Sequence, residues 1–155
     1  MIPAIVLAAG MSTRMGRPKA NLPLDPNRAP AEGGETFLTR IVRTLLEAGI
    51  DDVVVVVGHE AEAVAATFAG SGLPARFVEN ADYQAGQLSS LLAGLRVVDR
   101  PGVEATLMTV VDVPFFRVAT VQAVVDRYRQ THAPIVRPTR GSEHGHPMLI
   151  DRSLF

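Results

Sequence analysis

Apolar positions along this chain fall into two kinds of run. Residues 2–8 (IPAIVLA) are continuously apolar and rich in branched side chains, and Gly10 follows almost at once. Val53–Val57 has the same character, and residues 106–111 repeat it before Asp112 and Pro114, the latter unable to donate to a central ladder. Unbroken apolar runs, rather than alternating ones, predict strands covered on both faces, as in parallel sheets.

Between these runs the period becomes helical. Phe37, Leu38, Ile41, Val42, Leu45 and Leu46 form one stripe, with Arg40, Arg43 and Glu47 opposite and Gly49 placed as a C-terminal stop. Leu88, Leu91, Leu92 and Leu95 repeat the i, i+3, i+4, i+7 spacing, as do Val121, Val124, Val125 and Tyr128. A weaker helix is predicted over residues 60–69, and short strands near Arg76–Glu79 and residues 135–137. Strand and helix thus alternate, which predicts an α/β three-layer sandwich around a mostly parallel, Rossmann-like sheet. Residues 21–35, with Pro23, Pro26, Pro30, Gly33 and Gly34, break the pattern and read as a long loop of the kind that carries function or stays irregular.

At 155 residues the chain matches the size of one domain, here residues 1–155. Fifteen basic and sixteen acidic residues give a net charge of -1, without the basic field that nucleic-acid binders carry. There is no cysteine, hence no disulfide framework and no thiolate zinc site. No apolar run approaches the ~18 residues of a membrane helix, and residues 1–10 lack the basic start of a signal peptide. The expectation is a soluble, cytoplasmic protein with neither a membrane nor a nucleic-acid partner.

In open parallel sheets ligands bind beyond the carboxyl ends of the strands. That rule selects residues 8–19, Gly58-His59-Glu60, residues 80–90 and 112–114. The first reads LAAGMSTRMGRPK from Leu7 to Lys19: small residues that let backbone N–H groups approach an anion, with Arg14, Arg17 and Lys19 adding positive charge. Its spacing is neither that of a Walker loop nor of a dinucleotide fingerprint, and a tight turn with solvated cations is the alternative. Asp112, ending an apolar run, suits either Mg²⁺ bridging phosphates or a turn or helix-cap role. Ser89 and Ser90 are read as helix caps or as part of a ligand-facing helix start, and Asn80 as a turn residue or a ribose or base partner. His144 and His146 make a poor zinc pair without a third ligand, and His59 reads as a loop residue.

Taken together, Leu7-Ala8-Ala9-Gly10-x-Ser12-x-Arg14-Met15-Gly16-x-Pro18-Lys19, then Val57-Gly58-His59, Asn80, Gly86-Gln87-Leu88-Ser89-Ser90-Leu91, Asp112-Val113-Pro114 and Gly145-His146-Pro147, resemble in order the motifs of nucleotidyltransferases of the molybdenum cofactor cytidylyltransferase type. The resemblance implies the nucleotidyltransferase version of the three-layer fold. It implies that Leu7, Ala8, Ala9 and Gly10 bind the base and ribose end of a nucleoside triphosphate, that Arg14 and Lys19 hold its phosphates, that Asn80 and Ser89 lie near it, and that Asp112 ligates Mg²⁺. Ala8-Ala9-Gly10 is similar to the cytidine-using form, which implies CTP rather than GTP. The acceptor implied is a phosphate-bearing small molecule of the molybdenum cofactor type. Sugar-phosphate or methylerythritol-phosphate transfer, or nucleotide binding without catalysis, are the alternatives. No residue identifies a molybdoenzyme or chaperone partner. Residues 21–35 are longer than the family's connection at that place, and the chain stops at Phe155, before the family's C-terminal segment.

Overall fold

The computed structural model describes residues 1–10, 17–29 and 34–155. Its elements run β1 (Ala4–Ala8), α1 (Phe37–Glu47), β2 (Val53–Val57), α2 (Ala61–Ala69), β3 (Arg76–Glu79), α3 (Gln87–Val98), β4 (Ala105–Val110), α4 (Val118–Thr131), β5 (Ile135–Val136), β6 (Thr139–Arg140), β7 (Glu143–His144) and β8 (Met148–Asp151). The main sheet has the order β3-β2-β1-β4-β8-β5, with β1 to β4 parallel and β8 antiparallel to both its neighbours. β6 and β7 form a separate two-stranded ribbon.

Side chains alternate across the pleat, so each continuous apolar strand feeds two cores. Val6, Val53, Val55 and Leu107 meet Leu38, Ile41 and Leu45 of α1, Val64 and Phe68 of α2, and Val121 and Tyr128 of α4. Ile5, Leu7, Val54, Val56 and Met108 meet Leu95 and Val98 of α3 on the opposite face. The three-layer α/β sandwich expected from the pattern is therefore present.

Local chemistry sets the element ends. Thr36 caps α1 reciprocally with Thr39: Thr39 N donates to Thr36 Oγ1 at 3.1 Å and Thr36 N to Thr39 Oγ1 at 2.8 Å. Gly49 (φ +90°) ends it, with Ile50 N bonded back to Leu45 O at 3.0 Å. The stop placed at Gly49 is where the helix turns off.

Two expectations change. Helix α3 forms, but only half of its apolar stripe is buried: Leu88 and Leu92 are exposed, while Leu95 is buried with Ser90, Gly94 and Val98 and Leu91 packs against the same core. Small residues at 90 and 94 bring the helix axis close to the sheet, and that approach outweighs the leucine spacing. The last strand also differs. β5 holds only Ile135–Val136, and β8, which the pattern did not suggest, inserts antiparallel between β4 and β5, pairing Met148 with Met108 and Ile150 with Ile135.

At the amino ends of the strands, Asp52 accepts two bonds from Arg76 at 2.9 Å and one from Arg100 at 2.5 Å. Burial raises its pKa, but the two guanidinium groups outweigh burial and hold the carboxyl below its ordinary value. A second carboxylate ties β8 to α4. Asp151 Oδ1 accepts from Ser153 N at 2.9 Å and Oδ2 from the Tyr128 hydroxyl at 2.6 Å. These bonds from Ser153 and Tyr128 lower Asp151 to about 2, while burial and the same carboxylate push Tyr128 up to about 12. A carboxyl depressed in the folded state stabilises it above the unfolded value of 3.8, and that share is lost as pH falls toward 2. The urea midpoint of the wild type is thus expected to fall more steeply between pH 4 and pH 2 than that of Asp151→Asn. Parallel acid limbs would count against the pairing.

Candidate active site

β1 lies where the strand order reverses, with β2 on one side and β4 on the other. Ligands in open α/β sheets bind at such a switch point. A cavity of about 330 Å³ opens there, walled by Leu7, Ala8, Ala9 and Gly10 at the end of β1, by Val110, Val111 and Asp112 at the end of β4, and by Pro18, Lys19 and Ala20. Its remaining wall is Tyr83, Gln84, Gly86, Gln87 and Ser90, from the turn after β3 and the first turns of α3. A volume of this size is at the lower end of small-molecule sites.

The charged pair of the crevice is Lys19 and Asp112, with Nζ 3.2 Å from Oδ2. Their side chains are 42% and 55% exposed, so the pair is worth no more than about 1 kcal/mol and yields readily to a stronger partner. Lys19 begins a 3-10 turn, Lys19–Asn21, held by Asn21 N on Pro18 O at 3.0 Å, which brings the far end of the loop back over β1. Among the described residues, a Cβ at Gly10 would meet no atom within 4 Å.

The structure thus brings Leu7, Ala8, Ala9, Gly10, Lys19 and Asp112 around one crevice. Arg14 lies outside the described residues. Arg17 lines a different cavity, with Thr36, Arg43 and Ser71. Asn80 and Ser89 stand behind the crevice wall. Asn80 is buried at 7% exposure and donates through Nδ2 to Ser89 Oγ at 2.9 Å and Ser90 Oγ at 3.0 Å, while its Oδ1 accepts from Asp82 N at 3.0 Å. Ser89 does not cap α3; its hydroxyl bonds the carbonyl of Gly86 at 2.6 Å. His144 and His146 line a shallow groove beside Phe116. His59 sits against Tyr83, ring centroids 5.9 Å apart.

Tyr83 and Gln84 fall inside the stretch 80–90 that the strand-end rule selects, but were not singled out within it. The signal available was an aromatic residue in a short polar turn between a strand-end Asn and a Gly-led helix, an unlikely place for a core ring.

Among the described residues no group of three His, Cys, Asp or Glu side chains could cage a metal. Mg²⁺ seldom needs a cage, being held by one or two carboxylates together with substrate phosphates and water. Asp112, an exposed carboxylate beside a lysine, fits an ion that arrives on a phosphate chain.

Comparison with known proteins sharpens this picture. The chain is 46% identical over 97 residues to the bifunctional IPC transferase and DIPP synthase of Rubrobacter xylanophilus, a match covering 60% of this chain and only 20% of that protein. It is 33% identical over 160 residues to the nicotine blue oxidoreductase of Paenarthrobacter nicotinovorans, covering 99% of this chain and 72% of the relative. Rv0371c from Mycobacterium tuberculosis H37Rv superposes with a TM-score of 0.75 at 28% identity, over 99% of this chain and 72% of that one, and its manganese complex with a TM-score of 0.73 at 26% identity over the same shares. The activities for which these relatives are named differ, so none transfers by name alone. The model of the MobA-like NTP transferase domain matches residues 4–155, and the chain belongs to that family.

Proposed function

We propose that the chain is a nucleotidyltransferase that takes CTP in preference to GTP and passes its cytidylyl group to a phosphate-bearing small molecule of the molybdenum cofactor type, in the cytoplasm. The observation that carries this is the Lys19–Asp112 pair in a crevice at the switch point of the sheet, opposite small-residue backbone at Ala8, Ala9 and Gly10. An oxygen of the acceptor phosphate attacks the α-phosphorus; a new P–O bond forms, the bond to the β-phosphate oxygen breaks, and pyrophosphate leaves with that electron pair. Such a reaction asks the protein mainly for orientation and charge neutralisation.

Lys19 exchanges Asp112 for phosphate oxygens, and Arg14 is assigned a phosphate on its place in the sequence motif. Asp112, released from Lys19, is the carboxylate that would hold Mg²⁺. When bound, that ion neutralises charge on the phosphate oxygens. The walls at Leu7, Ala8 and Ala9 keep water from the nucleoside end.

The second reading keeps this chemistry and changes the acceptor to another phosphorylated small molecule, such as a polyol or sugar phosphate. The identity to the Rubrobacter transferase favours it. One experiment separates the two: pyrophosphate release from CTP, GTP and UTP with Mg²⁺, against molybdopterin, a sugar phosphate and methylerythritol phosphate in turn. Release with CTP and molybdopterin supports the first reading. Release only with another acceptor selects the second, and no release with any pair overturns both.

A further inference from the structure

The two sides of the crevice differ in kind. Among the described residues, the β4 side carries the ion pair of Lys19 and Asp112, and the β2 side Tyr83, Gln84, Gly86, Gln87 and Ser90, none of which has an acidic or basic side chain. Two inter-strand spacings, about 10 Å, separate the ends of β2 and β4 across β1. If the proposed reading holds, phosphates belong with the ions and the nucleoside with the neutral wall.

What makes that wall rigid lies behind it. Tyr83 rests directly on Gly58, at the end of β2: a Cβ there would be 2.6 Å from Tyr83 Cβ, 2.8 Å from Cγ and 3.0 Å from Cδ1, so only glycine lets the ring sit where it does. His59 flanks the ring. The turn carrying Tyr83 is tied at both ends by Asn80, whose amide grips Asp82 before the ring and Ser89 and Ser90 after it. Gly86, at φ +105°, makes the sharp entry into α3 that brings Gln87 back to the crevice. Both Nδ2 hydrogens of Asn80 are committed, and the side chain is almost fully buried. It has no donor left to offer a nucleotide without dismantling the turn.

We propose that Gly58 and Asn80 are positioning residues for the nucleoside moiety, acting on it through Tyr83, whose ring is the contact they hold in place. This rests on the nucleotidyltransferase reading and adds what sets the nucleoside half of the site. It also separates two roles that nearness to a ligand would merge: Tyr83 touches the nucleoside, whereas Asn80 and Gly58 do not.

The test compares Kd for Mg-CTP and for inorganic tripolyphosphate, with folding checked by circular dichroism and thermal melting. Tyr83→Ala is expected to weaken CTP about tenfold, the worth of a base on an aromatic ring, and to leave tripolyphosphate unchanged. Tyr83→Phe keeps the ring and is expected to bind CTP as the wild type does. Gly58→Ala and Asn80→Ala are expected to weaken CTP without affecting tripolyphosphate. Adding Asn80→Ala to Tyr83→Ala is expected to cost nothing further, because the contact it serves is already gone. Additive losses would mean that Asn80 touches the nucleotide itself and would overturn the proposal, as would equal losses for CTP and tripolyphosphate. Asn80→Ser serves as the milder variant where Asn80→Ala does not fold. A wild type that binds no nucleoside triphosphate would instead overturn the nucleotidyltransferase reading.

Discussion

Asp112→Ala is expected to lose about 10²–10³-fold in pyrophosphate release, the scale on which single preorganised electrostatic groups act in transition states. Asp112 is the single carboxylate among the described residues lining the crevice, so no neighbour takes over its charge. The loss should fall on turnover more than on nucleotide binding, since the walls from β1 and the Tyr83 turn stay intact. Raising Mg²⁺ should recover part of the rate, because an ion carried on the phosphates keeps those ligands. Stability should barely change: the partner is Lys19, and an ion pair exposed on both sides holds little of the fold together. Lys19→Ala should show the complementary pattern, weakening tripolyphosphate as well as slowing release. A Mg²⁺ titration of initial rates for both variants checks this. Release from Asp112→Ala at the wild-type rate would remove Asp112 from the mechanism.

Gly94→Val should cost the fold substantial stability. The helix lies so near the sheet that a Cβ at 94 would stand 2.7 Å from Ile5 Cγ2, 3.1 Å from Ile5 Cδ1 and 3.2 Å from Val56 Cγ2. Ile5 and Val56 are fully buried in central strands and have nowhere to move. Glycine inside a helix costs about 1 kcal/mol relative to alanine, so its presence mid-helix reflects this close approach rather than helix preference. Overpacking of this sort costs about 1–3 kcal/mol, and valine adds two methyls to the clash. At roughly 2–4 °C per kcal/mol for a chain of this size, the melting temperature should drop by several degrees. Lifting α3 would also displace Gly86 and Gln87 at the crevice, so CTP affinity should fall with stability. A Gly94→Val protein that melts at or above the wild-type temperature would contradict the packing described.

Legibility in the sequence followed the range of the forces involved. Val53–Val57 and the α1 stripe were readable because burial on both faces, or on one helical face, is written into neighbouring residues. β8 was not: four residues after Pro147 carry no period, and they become a strand only through pairing with Met108 and its neighbours forty residues away in sequence. Leu88 and Leu92 satisfied a helical spacing yet face outward, because the closeness allowed by Gly94 decides the face and no local pattern encodes it. The strand-end rule located the crevice through Ala8, Gly10 and Asp112. It could not separate residues that line it from residues that brace it, since Asn80 and Gln87 look alike until their hydrogen bonds are traced.

The insertion of β8 has a consequence for how the molecule is made. Strands β1 to β4 and their helices are synthesised in an unbroken series, but the free edge of β4 waits for residues 148–151 before it is paired. A growing chain therefore carries, until residues 148–151 leave the ribosome, a parallel sheet whose open β4 border lies beside Asp112. Unpaired strand borders recruit other chains. The interval before Met148 emerges is thus one of exposure, and the same addition that ends it covers the border of the strand that leads to Asp112.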